Sequence, residues 1–291
     1  MKNFVKCFLF LSLSLASCEQ ENFVTPAKTD DATSASLRES FTASMPKHYQ
    51  LIQDGESKIS YFEDGRLKKV TYGPGTRGVY NTYALYAYKT NAIIKTSYTN
   101  NVKAQVVTFL LDADTGLCYD SQQVDYIPYG TNQILEQEIG FTYKYNGKGQ
   151  LDLRKNKKNN NLKTTFEYNG EGDITKITNY SPAHFNTVGG VESIYTLYYD
   201  QPTGDPILRN TLPLNLGVAN FPDQYLMIFG KPNKHLVKFI SEQFSQKSKI
   251  INYTPNADGY ITTRQTYDIF SGSMIENKAY DYLITDLTFS L

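Results

Sequence analysis

Apolar and polar residues alternate along most of the chain from residue 47 onward. In Leu162-Lys-Thr-Thr-Phe-Glu-Tyr168, positions 162, 164, 166 and 168 share one face, while Lys163, Thr165 and Glu167 share the other. A period of two with one buried and one wet face is the pattern of an antiparallel sheet. The same alternation runs through Val79–Tyr88, Ala92–Tyr98, Ala104–Leu111, Leu117–Ile127, Ile134–Tyr145, Val191–Tyr199, Lys247–Tyr253 and Tyr260–Ile269.

Turn signals separate these segments. Tyr145-Asn-Gly-Lys-Gly149-Gln-Leu151 and Tyr168-Asn-Gly-Glu-Gly172-Asp-Ile174 are near copies, and Tyr61-Phe-Glu-Asp-Gly65-Arg-Leu67 keeps their spacing. Asn-Gly between alternating runs predicts a tight hairpin with positive φ at both residues. Longer variants are Leu111 to Gly116, Tyr199 through Gly204 to Ile207, and Tyr253 through Gly259 to Ile261. Their unequal intervals describe a chain of hairpins, not a fixed-length solenoid or propeller.

The prediction is an all-β fold, a single large antiparallel meander of about 12–16 strands, more than one flat sheet carries. Such a sheet curls into a barrel or a half-closed trough. One block departs from the alternation. In Phe221-Pro-Asp-Gln-Tyr-Leu-Met-Ile-Phe-Gly-Lys-Pro-Asn-Lys-His-Leu236, Pro222 suits a first helical turn, Gly230 a helix end, and Pro232 a stop. This predicts one short helix near 221–229, with Tyr225, Leu226, Ile228 and Phe229 buried and closing one end of the sheet.

The first residues have a different character. Lys2 and Lys6 precede the apolar run Cys7–Ser17, which has the charge and length of a secretory signal. Leu15-Ala16-Ser17-Cys18 resembles a bacterial lipobox, in which Cys18 is lipidated and begins the mature chain. The organisation expected is a lipoprotein signal peptide over 1–17, the lipidated Cys18 and a disordered tether over 18–46, and a β domain over 47–291. The tether is rich in Thr, Ser, Ala, Asp and Lys and too poor in large apolar residues to form a core. More than one acyl chain on Cys18 would anchor the protein stably to a membrane. Glu19 and Glu21 resemble the export tag of surface lipoproteins in Bacteroidota-type bacteria. The expected address is the outer membrane, on its cell-surface or periplasmic face.

Lipobox, tether, repeated Tyr-x-x-x-Gly-x-[Leu/Ile] hairpins and the block Tyr225–Leu236 together resemble domain-of-unknown-function family 4595, Bacteroidota lipoproteins with a porin-like β fold. The hairpins alone are also similar to YD repeats. The resemblance implies a barrel and no activity, so it brings no functional residue with it. An embedded porin needs an unbroken lipid-facing apolar band. Charged residues in Leu151–Asn160 and Ile174–Tyr180 interrupt one, which predicts a barrel outside the bilayer.

Composition narrows the chemistry. The chain has 29 basic and 29 acidic residues, and loss of Lys2 and Lys6 leaves a net charge of about −2. No strong field favours nucleic acid. The basic run Arg154–Lys158 reads as a solvated hairpin tip. Of three cysteines, only Cys118 remains in the mature domain, where it packs as a small apolar residue. His48, His184 and His235 are far apart and lack metal-ligand spacing, and Asp112-Ala-Asp-Thr-Gly116 lacks the closing Glu of a calcium loop. No nucleophile elbow, zincin helix or phosphate loop is present. No catalytic residue, metal ligand or cofactor is therefore assigned, and Cys18 is the one site residue. The 24 Tyr and 16 Phe, with no Trp, suit either cross-strand pairing or a stacking surface. The expected function is a binding or interaction module, with a glycan or protein partner on the concave sheet face. The alternatives are a hydrolase of envelope or dietary glycan and a structural envelope component.

Overall fold

The alternating segments become sixteen strands in the computed structural model, which describes residues 47–74, 81–129, 133–181, 190–200, 206–219, 221–244 and 247–286. Cys18, its flanking signal and tether, and His184 lie outside the described residues. The first eight strands are β1 (Lys47–Asp54), β2 (Ser57–Tyr61), β3 (Leu67–Thr71), β4 (Thr82–Lys89), β5 (Ala92–Thr99), β6 (Val102–Leu111), β7 (Cys118–Tyr129) and β8 (Gln133–Tyr145). There follow β9 (Leu151–Asn156), β10 (Lys163–Tyr168), β11 (Ile174–Tyr180) and β12 (Val191–Tyr198). The last four are β13 (Phe239–Glu242), β14 (Lys249–Pro255), β15 (Ile261–Asp268) and β16 (Met274–Asp286). Each strand pairs antiparallel with its sequence neighbours, and β1 pairs with β16. The sheet is thus a closed up-and-down barrel, not a half-open trough.

The apolar face of each strand points inward. Val70, Ala84, Ile93, Val107, Phe109, Phe166, Ile177 and Leu197 are buried in one continuous core. Their alternates face out, and Lys58, Lys89, Lys144, Asp152, Glu167 and Asp281 are exposed on the outer wall. Arg154 belongs to the inside and corrects the reading of Arg154–Lys158 as a hairpin tip. Arg154 through Asn156 are strand β9, and the Arg154 guanidinium lies 3.6 Å from the centre of the Phe141 ring. Within that basic run only Lys157 and Lys158 are exposed, at the start of the turn.

Because the chain runs up and down, the Tyr-x-x-x-Gly-x-[Leu/Ile] turns all lie at one end of the barrel. There the tyrosines form a belt on the even-numbered strands. Each hydroxyl donates to a carbonyl of a buried residue on or just before the preceding strand: Tyr61 to Leu51 midway along β1 (2.7 Å), and Tyr88 to Leu67 (3.0 Å), Tyr145 to Cys118 (2.6 Å) and Tyr168 to Leu151 (2.8 Å) at strand starts. Tyr199 to Ile174 (2.7 Å), Tyr253 to Val237 (2.9 Å) and Tyr282 to Ile261 (2.8 Å) continue it. On β6 Leu111 stands in the tyrosine's place. The seven acceptor residues are all buried, with Cys118 fully so. Burial pushes the Cys118 thiol up to about 12, as expected of a packed rather than reactive cysteine.

The turns themselves differ from the Asn-Gly prediction. Positive φ falls on the second glycine, Gly149 (74°) and Gly172 (101°), and not on Asn146-Gly147 or Asn169-Gly170. The strand register shifts beside each turn, at Lys144/Tyr145 and Glu167/Tyr168, as in a glycine bulge. The asparagines act through their side chains: Asn169 Oδ1 accepts the amides of Glu171, Gly172 and Asp173. Asp112 does the same for Asp114 and Thr115, which makes the calcium-like segment the β6–β7 turn.

The long connection between β12 and β13 enters the barrel as a strap, described over 206–219 and 221–238. It contains no helix at 221–229, contrary to the prediction; its one 3₁₀ turn is Gly217–Ala219. The burial was foreseen, since Leu226 and Phe229 are both in the core. The helix fails because other groups take its backbone bonds. The Cys118 amide donates to the Ile228 carbonyl (2.8 Å), and the Lys231 amide to the Gly149 carbonyl (3.1 Å). The Asn215 amide donates to the Gln224 carbonyl, and its side chain to the carbonyls of Asp223 and Leu226. Gly230 is needed where the strap meets the rim. Its φ is +102°, and a Cβ there would stand 2.9 Å from the Leu151 nitrogen.

The belt makes stability depend on alkaline pH. Burial pushes the Tyr61 and Tyr88 phenols up to about 12, above an unfolded value near 10. The folded state therefore binds the proton more tightly, and this stabilisation is complete below pH 10 and lost as pH rises through 12. Absorbance at 295 nm should show exposed tyrosines ionising near pH 10 and Tyr61 and Tyr88 only about pH 12, together with loss of the β circular dichroism signal. A single wave near pH 10 with the fold intact would contradict the belt.

Candidate functional site

The strap crosses the lumen as an irregular chain fixed at three places. Asp223 is the deepest. Its Oδ2 accepts the Tyr86 hydroxyl (2.7 Å) and pairs with Lys95 Nζ (2.9 Å), while Oδ1 accepts the amides of Tyr225 and Leu226. The Asp223 side chain is 0% exposed and that of Lys95 9%. Burial works against a charged Lys95, but the neighbouring carboxylate outweighs it and raises the ammonium pKa. The second fixing point is Asp54 on β1, which accepts Gln224 Nε2 (2.6 Å) and the Tyr225 hydroxyl (3.0 Å).

The third is at the belt. Asp173 accepts the His235 amide (3.0 Å) and contacts its Nδ1 at 2.7 Å, and Glu171 approaches the same nitrogen at 3.6 Å. Glu171, Asp173 and His235 are the one His/Cys/acid group among the described residues with metal-like proximity. The sequence had kept His235 apart from any ligand set. Both Asp173 oxygens are used in holding the strap, so the group acts as a clamp. Asn233 completes it, donating to the Tyr199 oxygen and accepting the Ile174 amide.

Between the strap and strands β10–β16 lies a cavity of about 420 Å³, partly open to solvent. This is within the range of small-molecule sites. It extends from the belt level, at Tyr168, Ile174 and Tyr253, up to Lys249, Thr266 and Glu276. One wall is apolar. Leu214, Leu216 and Val218 of the strap are only half buried and face Ile240 and Ile251 across the cavity lining. The other wall is charged. Arg264 Nη2 holds Glu276 Oε2 at 2.6 Å, with Thr266 Oγ1 at 3.3 Å and Lys278 Nζ 3.7 Å from Oε1. Lys278 in turn lies 3.2 Å from Asp54, which links the charged wall to the strap.

The charged wall keeps its charges. Burial opposes ionisation of Arg264, but Tyr280 and Glu276 outweigh it and raise its pKa. Burial likewise opposes ionisation of Glu276, and Arg264 overcomes it to lower the carboxyl pKa. Arg264 Nε is buried without a hydrogen-bond partner. Glu276 is the one carboxylate among the lining residues, and it is committed to Arg264. Hydrolysis by a carboxylate pair requires a second acid across the scissile bond. No other described lining residue is an acid.

The belt also bears on the stacking reading of the tyrosines. Tyr168 and Tyr253 line the cavity, but their hydroxyls are spent on the Leu151 and Val237 carbonyls. The lining residues Leu214, Leu216, Arg264 and Glu276 were not distinguished in the sequence. The alternating apolar positions of Leu212-Pro-Leu-Asn-Leu-Gly-Val218 were the available signal for the strap wall; Arg264 and Glu276 look like ordinary strand residues.

No family model matches the chain, and no curated protein does. Solved structures do match, among them two porin-like proteins. A porin-like protein from Bacteroides vulgatus ATCC 8482 aligns with a TM-score of 0.52 at 14% identity, covering 80% of this chain and 98% of that one. A porin-like protein from Bacteroides uniformis ATCC 8492 aligns with a TM-score of 0.48 at 16% identity, covering 82% and 95%. At such identities the likeness to the first is one of fold.

The buried anchor at Asp223 gives a direct mutational test. Asp223→Ala leaves Lys95 and Tyr86 facing each other without the carboxylate and should destabilise the barrel by about 3–5 kcal/mol in urea unfolding. Lys95→Met combined with Asp223→Leu should recover much of that loss. Equal losses in the single and double variants would show that the pair does not anchor the strap.

Proposed function

We propose that the protein is an envelope lipoprotein whose barrel binds a small ligand in its lumen. The cavity between strap and wall carries this reading, because it joins a half-exposed apolar strip to a charged face at small-molecule size. The expected concave face is the inside of a closed barrel. A long glycan or extended protein segment suits it less well than a compact ligand. Kinship with family 4595 is part of the proposal, supported by the lipobox, the hairpins and the block now seen as the strap's rim contact.

The anchor belongs to the same reading. Lipidation at Cys18 would hold the barrel at the outer membrane, facing the cell surface or the periplasm. Exposed charges on the outer wall of many strands support a barrel held beside the bilayer, since an embedded one needs an apolar band there.

One experiment on the full chain tests both parts. N-phenyl-1-naphthylamine, a neutral apolar dye, should bind saturably at one site, and Leu214→Trp should abolish that binding without lowering the unfolding midpoint appreciably. In the same preparations, Cys18→Ala should shift the chain from the membrane to the soluble fraction. Unchanged dye binding in the Trp variant would refute lumen binding, and retention of the Ala variant in membranes would refute the lipid anchor.

A further inference from the structure

The geometry points to the chemical class of the lumen ligand: a small amphiphilic monoanion, its apolar body against the strap and its carboxylate against Arg264 and Lys249. This rests on the cavity-binding reading above. Three cations line the cavity, Lys231, Lys249 and Arg264, against one carboxylate, Glu276. Glu276 is already served by the Arg264 Nη2, by Thr266 and by Lys278. The Arg264 guanidinium is held by Glu276 through Nη2 with its Nε sealed in the wall, so it acts on the cavity as a fixed charge. Lys249 forms no ion pair among the described residues. Its side chain is inward, between Ile240 and Ile251 in the lining. A carboxylate placed beside Lys249 would offset the surplus positive charge of the lining.

The apolar half of the cavity fits the rest of such a molecule. Leu214, Leu216 and Val218 present half-buried side chains that gain cover only when something occupies the cavity. Each methylene placed there contributes about 0.8 kcal/mol of transfer free energy. The volume suits one compact chain. Of the three lining tyrosines, Tyr168 and Tyr253 already donate their hydroxyls to backbone carbonyls, which leaves Tyr195.

Octanoate, octan-1-ol and octylamine, which share a chain and differ in head-group charge, test this by isothermal titration with the full chain. Octanoate should bind at least tenfold more tightly than octanol, and octylammonium the most weakly. Arg264→Gln combined with Glu276→Gln removes both charges without stranding either. It should weaken octanoate about tenfold and leave octanol within twofold. Lys249→Gln, on a half-exposed residue with no structural partner, should weaken octanoate about threefold. Octanol binding as well as octanoate, or an undiminished octanoate preference in the double variant, would overturn the anion assignment while leaving lumen binding intact. No binding of any of the three would overturn both.

Discussion

A closed barrel of sixteen strands encloses more space than its own inward side chains can fill. In membrane porins of this size the remainder is water. Here the remainder must be occupied by protein, because the inner face is apolar and a wet lumen would expose it. The strap meets that requirement, and its course is set by buried polar anchors more than by its leucines. Asp223 carries the greatest cost if it is lost, since a carboxylate at 0% exposure is tolerated only with Lys95, Tyr86 and two amides around it.

The barrel has a largely apolar interior with buried polar anchors, and its outer wall mixes charged residues with exposed apolar ones such as Ile134, Leu135, Leu283 and Ile284. Its lower rim is finished by the tyrosine belt, in which a phenol at the end of one strand caps a carbonyl on or just before the previous one. This explains why so many tyrosines recur at one spacing. The hydroxyl satisfies an acceptor in a buried setting, and the ring covers the barrel end. The strap then docks on the same rim through Ile228, Lys231 and His235. The cavity is the volume left where strap and wall do not meet, on the side of β10–β16.

Strands and hairpins were legible in the sequence because their signals are local. A period of two and a bulge glycine require only neighbouring residues. The turn type was misread at Asn146-Gly147, since Asn-Gly also suits a glycine bulge when a second glycine follows two residues later. Phe221–Phe229 was misread as a helix for a different reason. Its Pro and Gly punctuation is compatible with a helix, and only the distant Cys118, Gly149 and Asn215 decide otherwise by claiming its backbone groups. Arg154 was placed outside because a basic run looks solvated, yet period-two alternation puts it on the face shared with Asn156. Lys95, Arg264 and Glu276 carried no warning at all, since a charge on a barrel's inner face looks locally like a charge on its outer face.

The account depends on the strap being core rather than a lid. Native-state hydrogen exchange tests this most directly, because local opening and global unfolding leave different signatures. The amides that join strap to rim, those of Cys118 and Lys231, and the Asp223-capped amide of Leu226 should exchange with the same opening free energy as Val107 in the middle of β6. Exchange of the strap amides through a separate, low-energy opening while Val107 stays protected would contradict it.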